Sequence, residues 1–229
     1  VSIFVNPTQF GANEDLDRYP RDLAGDLVKL REAHADVAFV PEAASLYPTG
    51  FDTWVEPASL GTVLCGKSRP GHFRGVATVV AILLRQTMAD VAVFGEKDFQ
   101  QLQVIRRMVR DLYLDIEIVA VPTVRESGGL AMSSRNAYLS ADERRQALAL
   151  SRALVEVRKR FSAGERRAEQ LLATARETVA EQPALRVDYI ELVARETLQP
   201  VAEIRAPALL AVAVFAGVTR LIDNCQLEP

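Results

Sequence analysis

Apolar residues along the chain fall into two kinds of pattern, short unbroken runs and stripes at helical spacing. Residues 1–5, 36–40, 91–94 and 116–121 are short runs rich in Val, Ile, Ala and Phe. The first three stop at Asn6-Pro7, Pro41 and Gly95, and such runs read as strands buried on both faces. Between them, Leu23, Leu27 and Leu30 recur at i, i+4 and i+7, residues 76–88 form a strongly apolar helix, and Leu102, Ile105, Val109 and Leu112 supply another stripe. Strand and helix alternate, which predicts a parallel α/β sheet with right-handed crossovers. Residues 43–59 read as a long loop with a short extended piece at 53–55.

The order changes after Pro122-Thr123. Ser140 and Glu143 form a capping box that opens a helix to about residue 161, a second helix covers 165–181, and strand-like runs come next at 187–193, 209–215 and 218–222. Helices followed by successive strands predict a smaller α+β domain. The chain therefore divides into residues 1–123, an α/β domain with a parallel sheet, and residues 124–229, an α+β domain.

Composition narrows the function classes. The 229 residues carry 30 acidic and 27 basic side chains, a net charge of -3, so no basic footprint points to nucleic acid or to an anionic membrane. A small-molecule ligand is the better expectation. Cys65 and Cys225 lie far apart and form no framework or metal quartet, which predicts reduced thiols in a cytoplasmic protein. No apolar run reaches the roughly 20 residues of a membrane span, and no basic stretch leads into a signal-type segment. The chain opens on Val1, without an initiator Met.

Candidate chemistry concentrates at predicted strand ends. Residues 90–101 run from a strand into Gly95, Glu96, Lys97 and Asp98 where a helix begins, and backbone N–H groups at such a helix start favour anions. Lys97 adds a mobile positive charge there. Asp98 and Gln101 also fit a capping box. Asn6 and Gln9 occupy the loop after the first strand, where they face the ligand crevice of a parallel sheet or satisfy turn backbone groups. Arg69, His72 and Arg74 lie in a basic, glycine-containing turn before the helix at 76–88 and suit an anion at its N-terminus. His72 lacks a partner at any informative spacing, so a hydrogen-bonding role stands beside an acid-base one. Ser133, Ser134 and Arg135, in a loop rich in glycine and hydroxyls, suit phosphate, or simply belong to a polar hinge.

One motif competes. Gly61 to Ser68 matches G-x-x-x-x-G-K-[ST], the phosphate-loop pattern, which would make the chain a kinase using Lys67 and Ser68. Its context disagrees: no buried strand precedes it, Arg69-Pro70-Gly71 breaks the helix that should begin at the Lys, and Val63 and Leu64 suit packing.

Taken together, Asn6-Pro7-Thr8-Gln9-Phe10-Gly11, Tyr19-Pro20-Arg21, Arg69-Pro70-Gly71-His72-Phe73-Arg74-Gly75-Val76, Gly95-Glu96-Lys97-Asp98 with Gln100-Gln101, and Met132-Ser133-Ser134-Arg135-Asn136 resemble the pantothenate synthetases, the pantoate:β-alanine ligases. The last third matches more weakly, at Asp188-Tyr189 and residues 220–224. The resemblance implies a Rossmann-type nucleotidyltransferase domain with a C-terminal domain that closes over ATP, in a homodimer. It implies a two-step reaction through pantoyl adenylate, with magnesium assisting the first step. Gln9 and Gln101 would hold pantoate near Asn6, and Gln9 would also border β-alanine. Gly95, Glu96, Lys97 and Asp98 would form one ATP-contacting loop, Met132, Ser133, Ser134 and Arg135 the second, and Val124 an adenine-side backbone contact. Lys97 and Arg135 are the expected catalytic cations. Asp26 falls at a magnesium-associated helix position, although Gly25 and Lys29 beside it depart from some members. The family also carries a His-x-Gly-His motif upstream of the Asn-Pro-x-Gln-Phe loop. No such motif occurs in these residues, so the chain is expected to begin one βα unit late, and its activity, or its alternative as a silent substrate-binding fragment, turns on that motif.

Overall fold

The computed structural model describes residues 1–12 and 14–229. In chain order its elements are α1 (Leu23–Glu32), α2 (Ala43–Leu46), α3 (Cys65–Ser68), α4 (His72–Thr87), β1 (Val91–Gly95), α5 (Phe99–Asp111) and β2 (Glu117–Val121). Next come α6 (Ala141–Ser162), α7 (Ala168–Ala180), β3 (Leu185–Ala194), β4 (Ala208–Ala216) and β5 (Thr219–Leu227), with short 3-10 turns at Pro7–Gln9, Glu96–Asp98 and Ser134–Tyr138. Strands β1 and β2 pair in parallel, from Val91 opposite Glu117 to Gly95 opposite Val121, with α5 as the crossover. Strands β3, β4 and β5 form an antiparallel sheet. The predicted α/β half and α+β half are both present.

The β3–β4–β5 sheet serves two cores because successive side chains on a strand point to opposite faces. Leu210, Val212 and Val214 of β4 pack with Leu150, Leu154 and Leu171 of α6 and α7. Leu209 and Ala211 turn the other way and join Phe73, Val76, Leu102 and Ile105 of α4 and α5. This double burial explains why residues 209–215 read as one unbroken apolar run. Cys65 and Cys225 are free and buried, and among the described residues no helix is long and apolar enough to cross a membrane.

Four expectations change. Residues 1–5 and 36–40 make one isolated parallel bridge, Ser2 to Phe39, flanked by Ile3 N–H to Phe39 O at 2.9 Å. Val1, Val37 and Val40 are exposed, since a bridge this short offers no pleated surface to bury them. The Leu23-Leu27-Leu30 stripe buries no residue, because a stripe needs an opposing surface and, among the described residues, α1 has no extensive contact with another element. The helix expected at 76–88 begins at His72, after Gly71 adopts φ 81°, which glycine allows without strain and which places His72 and Arg74 on its first turn. Ser140 and Glu143 do form a capping box, but Asp98 caps nothing. At Asp98 the chain is leaving a 3-10 turn with ψ 56°, outside the extended backbone that a side-chain cap requires.

Candidate functional site

The carboxyl end of β1 leads straight into the Glu96–Asp98 turn, and the C-terminal sheet holds that turn in place. Asn224 Nδ2 on β5 donates to the Glu96 and Lys97 carbonyls at 2.9 and 3.0 Å, and Gln226 Nε2 donates to Glu96 Oε1 at 3.1 Å. Beside the turn opens a cavity whose walls come from four parts of the chain. Lys97, Asp98 and Gln101 line it from the turn and α5, Ser133 and Arg135 from the loop after β2, Arg69 and His72 from the turn that leads into α4 and from its first residue, and Tyr189 and Arg220 from the sheet. With no capping duty, the Asp98 carboxylate is available to the cavity.

Two of the three arginines that line the cavity, Arg135 and Arg220, are each positioned by a fixed carboxylate partner. Arg135 gives Nε and Nη2 to the two oxygens of Asp15 at 2.9 and 2.7 Å and lies over the Tyr19 ring at 5.2 Å. That bond holds the Asp15 carboxyl below the usual carboxylate range. Arg135 N–H also donates to Ser133 Oγ at 3.2 Å, which shapes the loop. Arg220 donates twice to Asp188 Oδ2, at 3.1 and 2.8 Å, and its guanidinium lies 5.7 Å from the Tyr189 ring. Burial pushes the Tyr189 hydroxyl well above its ordinary range, so it stays protonated.

Arg69 and His72 together grip the backbone of Gln9. Arg69 pairs with Glu14 and donates to the Gln9 carbonyl at 3.1 Å, while His72 Nδ1 reaches the same oxygen at 2.8 Å. Arg69 Nη1 lies 3.2 Å from His72 Nε2. A guanidinium cannot accept, so Nε2 accepts and the proton sits on Nδ1. Burial, aided by the Arg69 charge, lowers the His72 pKa to about 4 and keeps the ring neutral. The turn itself is pinned by Asn6, which is 3% exposed. Asn6 Nδ2 donates to Gly75 O at 3.1 Å and its Oδ1 accepts from Tyr47 Oη at 2.9 Å. Gly75 permits this approach, since a Cβ there would lie 2.4 Å from the Thr8 carbonyl.

A family model described as pantoate-beta-alanine ligase matches residues 1–226. The chain belongs to this family. It is 53% identical over 227 residues to the pantothenate synthetase of Pelobacter propionicus, covering 99% of this chain and 80% of that protein. It is 55% identical over 230 residues to that of Myxococcus xanthus, covering 99% and 78%. Among solved structures, pantothenate synthetase from Thermus thermophilus superposes with a TM-score of 0.96 at 47% identity, covering 100% of this chain and 83% of that one. Pantoate-beta-alanine ligase from Francisella tularensis, complexed with beta-gamma ATP and beta-alanine, superposes with a TM-score of 0.74 at 32% identity, over 98% and 77%.

Of the residues that the family resemblance singled out, Lys97, Asp98, Gln101, Ser133 and Arg135 meet at the one cavity. Gly95 and Glu96 stand just outside it. Val124 and Met132 are neighbours through a 2.9 Å bond from the Met132 N–H to the Val124 carbonyl, and both side chains are exposed. The Asn6 side chain is committed to the turn that carries Gln9, and Gln9 is not among the residues that line the cavity. Ser134 donates to Tyr19 Oη at 2.9 Å and lines a second cavity together with Asp26. Asp26 is paired with Lys29 at 3.3 Å, and among the described residues no three His, Cys, Asp or Glu side chains come together as metal ligands.

The phosphate-loop reading fails in the fold. Leu64 and Cys65 are buried, and the loop folds back so closely that a Cβ on Gly66 would lie 2.0 Å from the Gly61 carbonyl. Gln100 fills the interior, accepting from Cys65 N–H at 3.0 Å and donating to the Leu60 and Val63 carbonyls at 2.8 and 2.7 Å. Lys67 reaches Glu191 and Ser68 donates to Asp188, so neither faces a phosphate cradle. Sequence reasoning assigned no roles to Gln100, Tyr189, Arg220 or Asn224. The strand gave little signal, since Arg220 and Asn224 fall on its half-buried alternate positions, where polar residues are ordinary.

Proposed function

We propose that this chain catalyses the ATP-dependent condensation of pantoate with β-alanine through a pantoyl adenylate. A pantoate carboxylate oxygen attacks the α-phosphorus and pyrophosphate leaves; the β-alanine nitrogen then attacks the acyl carbon, AMP leaves, and the amine gives up a proton. The observation that carries this reading is the convergence of Lys97, Gln101, Ser133 and Arg135 on one cavity at the carboxyl end of β1. Negative charge grows on the phosphate oxygens during the first step, and fixed cations stabilise it more in the transition state than in the ground state. Asp15 occupies Nε and one Nη2 hydrogen of Arg135, which leaves the rest of the guanidinium to meet phosphate in a set orientation.

Gln101 and Gln9 are assigned to pantoate, because an amide both donates to and accepts from a polyol acid. Gln9 also borders β-alanine, and Asn6 fixes the turn that carries it. Gly95, Glu96, Lys97 and Asp98 form the first ATP loop, Met132, Ser133, Ser134 and Arg135 the second, and Val124 supplies the adenine-side backbone. Residues 1–123 and 124–229 act as two lobes, and the protein works as a homodimer in the cytoplasm; family resemblance supports these points. Magnesium accompanies ATP, as is usual where most of its ligands are phosphates and water.

Pyrophosphate release with ATP, magnesium and D-pantoate tests the assignment. Lys97→Ala and Arg135→Ala should each lower kcat by roughly 10²- to 10³-fold, the loss typical of removing one donor to a developing charge. Unchanged turnover in both variants would remove these residues from the chemistry.

A further inference from the structure

Helix α5 carries a second polar face that the ligase reaction does not use. Gln103, Arg106, Arg107 and Arg110 stand at i, i+3, i+4 and i+7, one stripe opposite Leu102, Ile105 and Val109. This stripe lines a groove of about 560 Å³ together with Arg195 and Glu196, just past the end of β3, and with Glu96 and Gln226. Two of the four arginines are engaged, Arg110 with Asp111 and Arg195 with Glu228. Arg106 and Arg107 form no ion pair among the described residues.

The informative residue is Gln103. It lines the groove and is only 8% exposed as a residue, and its amide, not itself sealed from solvent, makes no hydrogen bond among the described residues. The Gln103 amide keeps contact with the groove rather than being sealed off, so its N–H and C=O remain available to a molecule bound there. Two unpaired guanidiniums beside an unpaired amide donor make a pocket for a multivalent anion whose oxygens accept several N–H bonds at once. Leu60 is the sole apolar residue among the described lining, so no wall exists for a base to stack on.

We propose that this groove is a binding site for a free, small phosphoryl anion of the inorganic pyrophosphate class, held by Arg106, Arg107 and Gln103. The site is distinct from the cavity at Lys97 but communicates with it. Glu96 lines the groove, and the turn it begins carries Lys97 and Asp98 into the other cavity. An anion drawn to Arg106 and Arg107 meets the Glu96 carboxylate and bears on its bond to Gln226.

Calorimetric titration of inorganic pyrophosphate into the intact chain tests this, without ATP or pantoate present. Arg106→Ala with Arg107→Ala should weaken one binding event by at least about tenfold, and the event should persist in Lys97→Ala. Gln103→Leu keeps every charge and should still weaken it by about threefold, because the amide contact is lost. Adenosine should not compete for that event. The proposal is overturned if the arginine variants bind as the parent does, if Lys97→Ala abolishes all binding, or if Gln103→Leu changes nothing, which would mean diffuse surface charge and a water on the amide. Thermal melting of each variant separates loss of binding from loss of fold.

Discussion

Lowering the pH should loosen the grip on Gln9 through one residue. The His72 pKa drops from its ordinary 6.5 to about 4 because the ring is buried and faces Arg69. The folded state thus binds fewer protons than the unfolded one between these values. The stability His72 contributes is fully present above about pH 6.5 and is lost as pH falls toward about 4, which is the direction required for a depressed pKa. For these two pKa values the loss is about 2 kcal/mol on going from about pH 7.5 to about pH 5, and about 3 kcal/mol in full. Urea unfolding of the parent and of His72→Asn at both pH values, at fixed ionic strength, isolates the effect. Asparagine keeps an N–H for the Gln9 carbonyl but does not titrate, and all other groups contribute equally to both proteins. The parent should lose about 2 kcal/mol more than the variant between about pH 7.5 and about pH 5. Equal losses would refute the neutral, buried ring and the tautomer assigned to it.

Two further perturbations follow from the geometry. Gly75→Ala would drive a methyl group to 2.4 Å from the Thr8 carbonyl, so α4 and the Pro7–Gln9 turn must separate; KM for pantoate should rise about tenfold or more with a smaller change in kcat, read from initial rates. Asp223 has a side chain 1% exposed and takes both Nη groups of Arg125 at 2.7 and 2.9 Å. Arg125→Ala should therefore cost about 3 kcal/mol in urea unfolding by stranding the buried Asp223 carboxylate, whereas an unchanged midpoint would show the pair to be solvated.

Much of this protein is legible in its residues. The runs at 91–94, 116–121 and 209–215 became strands, and the Ser140-Glu143 box opened α6, because these features are satisfied locally or by an apolar face that any partner would cover. The composition of the loops at residues 95–98 and 133–135 marked them for anions, since backbone N–H groups, hydroxyls and cations have that chemistry wherever they lie. What needed the tertiary structure was each side chain's partner. Asp98 and Gln101 have the spacing of a capping box, yet the 3-10 turn ahead of α5 withholds the backbone geometry a cap needs and leaves Asp98 to the cavity. Gly61 to Ser68 has the letters of a phosphate loop, yet Gln100, some 35 residues beyond Cys65, fills its interior. Residues 1–5 have the letters of a strand, and only one bridge forms because pairing, burial and register are properties of neighbours rather than of the segment. His72, whose spacing suggested nothing, became a neutral clamp once folding set it between Arg69 and the Gln9 carbonyl. Local pattern fixes what a segment is able to do; long-range packing decides which of those abilities it spends on structure and which it leaves for a ligand.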